Sequence, residues 1–338
     1  MAMGRQVTLE DVAAEAQVSK SSVSNVINNH PHVRESMRQR VNAAIDKLGY
    51  RPQAIGQNLV SGRTGLVSLA IPNFAQPYFA ELARAAVAAA GEVGMRLIVQ
   101  QTDNLLERER EAADSWNLGS ADGLIFSPSV IEDEEIEQRR GRAPLVLLGE
   151  RSKLSSVDRV GIDSVAISHA ATKHLLDQGR SRLVMIGDKT FGDPFVVSER
   201  EAGFHLALQE AGLREAGPVG GVRDWTREDG ARSVDELLDA GIEFDGLFCA
   251  NDLLALGAMS ALRRRGLRVP EDVAVIGIDD IEDGRFASPT LSTIFIDKEW
   301  MAREAVRLLA KQLADPDSPP EQLTVPFHLV ARESTGLS

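Results

Sequence analysis

Two groups of side chains in this sequence have the types and spacing to do chemistry. The first follows short apolar runs: Pro72-Asn73-Phe74, Gln101-Thr102-Asp103, Ser127-Pro128, Asn251-Asp252 and Asp279-Asp280, with Tyr78, Phe79 and Trp225 close by in sequence. Amides and carboxylates take the paired hydroxyls of a polyol, and an aromatic face covers the apolar side of a sugar ring. Plain structural roles stand beside that reading. Asn251 suits the cap of a helix starting at Asp252, Trp225 suits a core, and Arg200 suits a surface pair with Glu199 or Glu201. The second group is Ser19, Lys20, Ser21, Ser22, Ser24, Asn25 and Asn28, polar residues surrounding Val23, Val26 and Ile27 at i, i+3, i+4 spacing.

Catalytic signatures are missing from the sequence. It has no G-x-G-x-x-G after a strand, no G-x-x-x-x-G-K-[ST] and no G-x-S-x-G. Its six histidines show no metal-ligand spacing with cysteine, so neither a metal nor a cofactor is expected. His169 and His174 read as solvated residues of a surface helix, and Cys249, within an apolar run, as a small buried side chain.

The second polar group belongs to a run of short helices. Thr8 and Asp11 have capping-box spacing ahead of Val12, Ala13 and Ala16, which predicts a helix of about two turns. Gln17-Val18 breaks the periodicity, and Ser19 caps a second short helix. A third spans about 34–48, with Met37, Val41, Ala44, Ile45 and Leu48 on one face and Gly49 as its stop. Two short helices joined by a tight turn and followed by a third satisfy a helix-turn-helix domain, although such helices also build bundles that bind nothing. Charge separates the ends of the chain. Residues 1–64 carry eight basic and five acidic side chains, a net +3, which leaves −16 on the remainder of a chain whose total is −13. A basic module on an acidic body places one end on phosphates and keeps the other away.

From residue 65, apolar runs at 66–71, 96–99, 124–126, 145–148, 183–186, 247–250 and 273–276 alternate with helical patterns, the first at about 78–93. Buried strands alternating with helices predict parallel sheets wound by right-handed crossovers, and about 270 residues suit two such lobes. Ligands of open parallel sheets collect beyond the carboxyl ends of the strands, where the first polar group lies.

The run VTLEDVAAEAQVSKSSVSNVIN, continued by VNAAIDKLGYRP, resembles the headpiece of the lactose repressor and galactose repressor (LacI/GalR) family. The resemblance extends through VGIDSVAISHAATKHLLDQG, SEREAGF, CANDLLALGAMSALRRRGLRVPEDVAVIGIDD and SPTLSTI, and weakens at FGDPFVVSEREAGF. It implies an all-α helix-turn-helix headpiece at 1–51, a hinge at 52–64 and a periplasmic-binding-protein-like α/β effector domain at 65–338. In that domain, 65–162 and 294–322 form one lobe, and 163–293 and 323–334 the other. By the match, Lys20, Ser21 and Asn25 read bases, with Thr8, Ser19, Ser22, Ser24 and Asn28 completing the DNA-contacting set. Asn25 stands where arginine is common in the family, and asparagine suits an adenine edge where arginine suits guanine. Leu59 occupies the position of a leucine that wedges into the minor groove, while Gln53 and Gly56 replace the usual asparagine and alanine. For the effector, the resemblance implies Phe74, Tyr78, Phe79, Asp103, Arg200, Trp225, Asn251 and Asp279. The implied partners are a palindromic double-stranded operator, a sugar-like small molecule and a second copy of the chain. A solute-binding protein of a transporter would use the same cleft, and a nucleobase-type co-repressor would act through identical parts. The headpiece and the lack of an apolar core in the first sixteen residues favour a cytoplasmic regulator over the transporter component. No apolar run approaches a membrane span.

Overall fold

In the computed structural model, which describes residues 7–27, 30, 32–50, 64–115, 121–141, 143–188 and 194–336, the chain divides into two units, Met1–Thr64 and Gly65–Ser338. The smaller unit contains α1 (Leu9–Ala16), α2 (Lys20–Ile27) and α3 (Glu35–Leu48). The capping box at its start is formed: the Asp11 N–H donates to Thr8 Oγ1 at 3.3 Å, and the Thr8 N–H to Asp11 Oδ2 at 2.8 Å. Gln17, with φ 55°, ends α1, and Gly49, with φ 63°, ends α3. Val12, Ala13, Ala16, Val23, Val26, Val41 and Ala44 are buried together, so each helix contributes its apolar stripe to one small core.

The larger unit begins with β1 (Leu66–Ile71), α4 (Pro77–Glu92), β2 (Arg96–Gln101), α5 (Leu106–Ser115), β3 (Leu124–Phe126), α6 (Asp133–Arg139), β4 (Leu145–Gly149) and β5 (Asp158–Gly161). It continues with α7 (Ser164–Asp177), β6 (Leu183–Asp188), α8 (Pro194–Glu210), β7 (Gly220–Gly221), α9 (Arg227–Asp239), β8 (Gly246–Cys249), α10 (Asp252–Arg264), β9 (Ala274–Asp279), α11 (Glu282–Arg285) and β10 (Ser292–Ile296). The last elements are α12 (Lys298–Ala314), β11 (Gln322–Thr324), β12 (Phe327–Val330) and a 3-10 turn at Glu333–Thr335. One sheet has the order β11-β5-β4-β3-β1-β2 and the other β12-β10-β9-β8-β6-β7. All pairings are parallel except β10 with β12, an antiparallel edge in which Thr293 faces Val330.

The chain passes from the first sheet to the second after β5, returns at Asp297 into α12, and crosses again after β11. The later two passages fall slightly beyond the sequence expectation, because β10 stays in the second sheet through Ile296 and β11 pairs with β5 through Thr324. The central strands of both sheets, β1, β3 and β4 in one and β8 and β9 in the other, are continuous buried apolar runs, as parallel sheets covered on two faces require. Among the described residues no helix is long and apolar enough to cross a membrane.

Two glycines set a helix contact that matters for the site. A Cβ on Gly257 of α10 would lie 1.8 Å from the Arg227 carbonyl oxygen, and one on Gly230 of α9 would lie 2.1 Å from that of Leu254. Only glycines let α9 and α10 approach this closely, and the contact brings their two N-termini together. Gly257→Ala is therefore expected to lower stability by about 1–3 kcal/mol or more. Denaturant unfolding checks it, and an unchanged midpoint would show that the helices slide apart freely.

His174 departs from the sequence reading. It lies buried on α7, with Nε2 2.8 Å from Thr335 Oγ1, and burial holds its pKa below the ordinary histidine value. The polar ring faces the 3-10 turn, which itself is tied in: Ser334 Oγ donates to the Val275 carbonyl at 2.6 Å and accepts from the Ser292 N–H at 2.8 Å. His169 is half-buried and pairs with Glu210 at 2.8 Å. Cys249 is buried within β8.

Candidate functional site

A cleft of about 150 Å³ lies where the strands of both sheets end, lined from one lobe by Tyr78, Phe79, Ser127 and Glu150, and from the other by Arg200, Trp225, Asn251 and Asp279. Local structure explains each position. Pro77 starts α4, so Tyr78 and Phe79 fall in its first turn and pack edge-on at 5.1 Å. Asn251 is the N-cap of α10: its Oδ1 accepts from the Leu254 N–H at 2.8 Å, while Nδ2 donates to the Trp225 carbonyl at 3.3 Å. Trp225, with φ 61°, precedes the Thr226–Asp229 capping box of α9. The glycine contact between these two helices thus sets Trp225 beside Asn251. Asn251 serves both as a cap and as part of the lining, so the two roles weighed for it coexist.

Arg200 does not pair with its sequence neighbours. Its Nη2 lies 2.6 Å from Glu150 Oε1 across the lobe boundary, Nη1 donates to the Ala250 carbonyl, and its guanidinium carbon lies 5.7 Å from the Trp225 ring centroid. The two side chains are 12% and 5% exposed, so this is a buried pair. Burial works against the arginine's charge, but Glu150 and Asp279 outweigh it and hold the pKa above its ordinary value. Desolvation pushes the Asp279 carboxyl up to about 7, against the pull of Arg200 and Lys298. Burial, then the nearby Asp279 and Glu150, push the Tyr78 phenol up as well. Glu150 Oε2 and Arg200 Nε are buried without a hydrogen-bond partner among the described residues. Leaving such an atom unpaired costs about 1–3 kcal/mol, and a ligand that pairs with it recovers that deficit.

Two residues assigned to the cleft by sequence lie outside its lining. Phe74 is 43% exposed, and its N–H donates to Gln101 Oε1 at 3.0 Å. Asp103, with φ 54°, pairs with Arg108 and accepts from Gln101, while the next residue, Asn104, faces the cleft. Glu150 was not singled out from sequence. The signal was present, because it directly follows the strand ending at Gly149, and the strand-end rule that selected Ser127 applies equally to it.

Just before α2 the Ser19 hydroxyl accepts from the Ser22 N–H at 3.1 Å and lies 2.8 Å from the Ser21 and Ser22 hydroxyls. Lys20, Ser21 and Asn25 are exposed, opposite the buried Val23 and Val26, and Ser22 and Ser24 are half-buried. Lys20 reaches Glu10 at 2.7 Å, with both side chains largely in solvent. Thr8 is exposed and caps α1. Asn28 and Leu59, with Gln53 and Gly56, lie outside the described residues.

A two-lobed α/β body with a cleft at its strand ends, in a chain that also holds a helix-turn-helix unit, defines a class of regulator, and the comparisons agree with it. The family described as bacterial regulatory proteins, lacI family, matches residues 8–53, and the periplasmic binding protein-like domain matches 172–335. Catabolite control protein A of Priestia megaterium is 30% identical over 97% of this chain and 99% of its own length. The transcriptional regulator CelR of Thermobifida fusca is 32% identical over 98% of each chain. The crystal structure of the lac repressor dimer bound to operator and the anti-inducer ONPF is similar with a TM-score of 0.86 at 27% identity, over 98% of this chain and 99% of that one. A CelR–cellobiose complex is similar with a TM-score of 0.72 at 30% identity, over 97% and 100%. The chain belongs to the LacI family of bacterial regulatory proteins, whose members are DNA-binding transcriptional regulators and not enzymes.

Proposed function

We propose that this protein is a dimeric repressor that grips a palindromic operator with two headpieces and releases it when a hydroxylated, sugar-like molecule binds the cleft. The observation that carries the effector reading is the buried Glu150–Arg200 pair, which among the described residues leaves a carboxylate oxygen and a guanidinium N–H unpaired beside the Trp225 ring. A sugar brings hydroxyls that donate and accept at these atoms and an apolar face for the indole. The cellobiose bound by CelR and the operator bound by the lac repressor dimer support the same assignment. Closure or twisting of the lobes changes operator affinity through a coupling free energy of about 1–3 kcal/mol.

A thermal-shift screen of the full chain against sugars, polyols and nucleobases tests the effector. A sugar is expected to raise the melting temperature, and stabilisation by a nucleobase with no response to any sugar or polyol would overturn the sugar reading. On the DNA side, Asn25→Arg is expected to move preference at one operator base from adenine to guanine, by about 1–3 kcal/mol for a bidentate contact. A binding-selection experiment reads this directly; an unaltered consensus would remove Asn25 from the reading set.

A further inference from the structure

Lys298 is the first residue of α12, an unfavourable place for its charge. Lysine is almost never buried unless paired, and a cation in the first turn opposes the positive end of the helix dipole. Yet the side chain is only 7% exposed. Three contacts offset this. Nζ lies 3.0 Å from Glu81 Oε2 of α4, stands 5.6 Å from the centroid of the Tyr78 ring, and donates to the main-chain carbonyl of Asp279.

These partners come from different lobes. Glu81 and Tyr78 belong to α4, which packs with α12 over the first sheet, whereas Asp279 ends β9 of the second. Lys298 also follows Asp297, where the chain itself passes between the lobes, so the contact sits at a hinge. The residue it holds is conformationally unusual: Asp279 has φ 114° and Asp280 φ 50°, in the region that L residues rarely adopt. Such a backbone persists only where its surroundings over-determine it. Asp280 is fixed by Arg285 at 2.8 Å and by Arg332, and the Asp279 carbonyl by Lys298.

We propose that Lys298 is a positioning residue for the cleft: by holding the Asp279 main chain across the lobe boundary it aims the Asp279 carboxyl at the ligand, and the lobes separate only when this bond breaks. The proposal rests on the cleft being the ligand site. An unpaired lysine would be poorly accommodated here, so its release is coupled to movement of α4 and β9 together. Loss of the ammonium also removes a positive charge that, with Arg200, pulls the Asp279 pKa down against burial, Glu150 and Glu81.

The test uses the full chain with spin labels at Glu111→Cys and Glu228→Cys, exposed positions on opposite lobes, leaving the buried Cys249 unlabelled. Electron–electron double resonance should give one narrow cross-lobe distance for the native residue, a broader and longer distribution for Lys298→Met, and substantial recovery for Lys298→Arg. In parallel, carbon-13 carboxyl titration should show the Asp279 midpoint rising above about 7 in Lys298→Met. A distribution and a midpoint both identical to the native protein would overturn the proposal. Should Lys298→Met fail to fold, Lys298→Gln carries the same measurements. Neither readout needs a ligand, so a negative result here overturns the latch and leaves the cleft reading standing, whereas failure of the cleft reading shows separately, in the ligand screen.

Discussion

Replacing Arg200 with methionine is expected to lower the melting temperature by on the order of 10 °C. Methionine fills much of the same volume, so the effect is electrostatic. It strands Glu150, whose side chain is 5% exposed, without its counter-charge. Breaking a buried pair from one side costs about 3–5 kcal/mol, and a body of this size loses roughly 2–4 °C per kcal/mol. The companion variant decides the cause. Glu150→Gln combined with Arg200→Met removes both charges and is expected to regain most of the loss, while both variants abolish the effector response and leave operator binding intact. A single Arg200→Met variant that melts like the native protein would mean that the pair is solvated in solution.

Asp279→Asn is expected to remove a pH dependence. The folded carboxyl titrates near 7, above the ordinary aspartate value of 3.8. Between about pH 4 and 7 the unfolded chain has released this proton and the folded protein still holds it. Stability therefore falls as pH rises through that window, by at most ~1.4 kcal/mol per pH unit, and this contribution is fully present only below the unfolded value. Asparagine cannot titrate, so the stability difference between native and variant protein should change across the window and level off above pH 7. Denaturant unfolding at several pH values reads it, and parallel curves from pH 4 to 8 would place the titration elsewhere.

Much of this molecule was legible because its apolar patterns are local. The runs at 66–71 and 124–126 coincide with β1 and β3, and the Thr8–Asp11 spacing forms the capping box it suggests. Two of the strands that escaped notice, β5 and β7, lack that signature. β5 reads Asp-Arg-Val-Gly, and its buried Asp158 is satisfied by Gln312 at 2.6 Å from a helix more than 150 positions away. The edge strand β7 is two glycines. The site shows the same divide. Strand ends located Asn251 and Asp279, but no local rule connects Arg200 to Glu150, fifty residues earlier, or shows that a turn with positive φ points Asp103 towards Arg108. His174 sits on a helix whose spacing allows either a wet or a dry face, and only the returning 3-10 turn decides which.

The passage of the chain back and forth between the lobes also orders events in time during synthesis. The headpiece core is complete once residues up to about Tyr50 have been made. Neither sheet of the body can close so early: the second lacks β10 until Ser292–Ile296 emerges, and the first awaits β11 at Gln322–Thr324 and the covering helix α12. Domains generally fold as units in order of synthesis, and unpaired parallel strands are slow to close and prone to aggregate while they wait. A nascent chain of this protein therefore carries a finished helix-turn-helix module while the strands of its body remain open at their edges, and its dependence on chaperones should be concentrated in that interval.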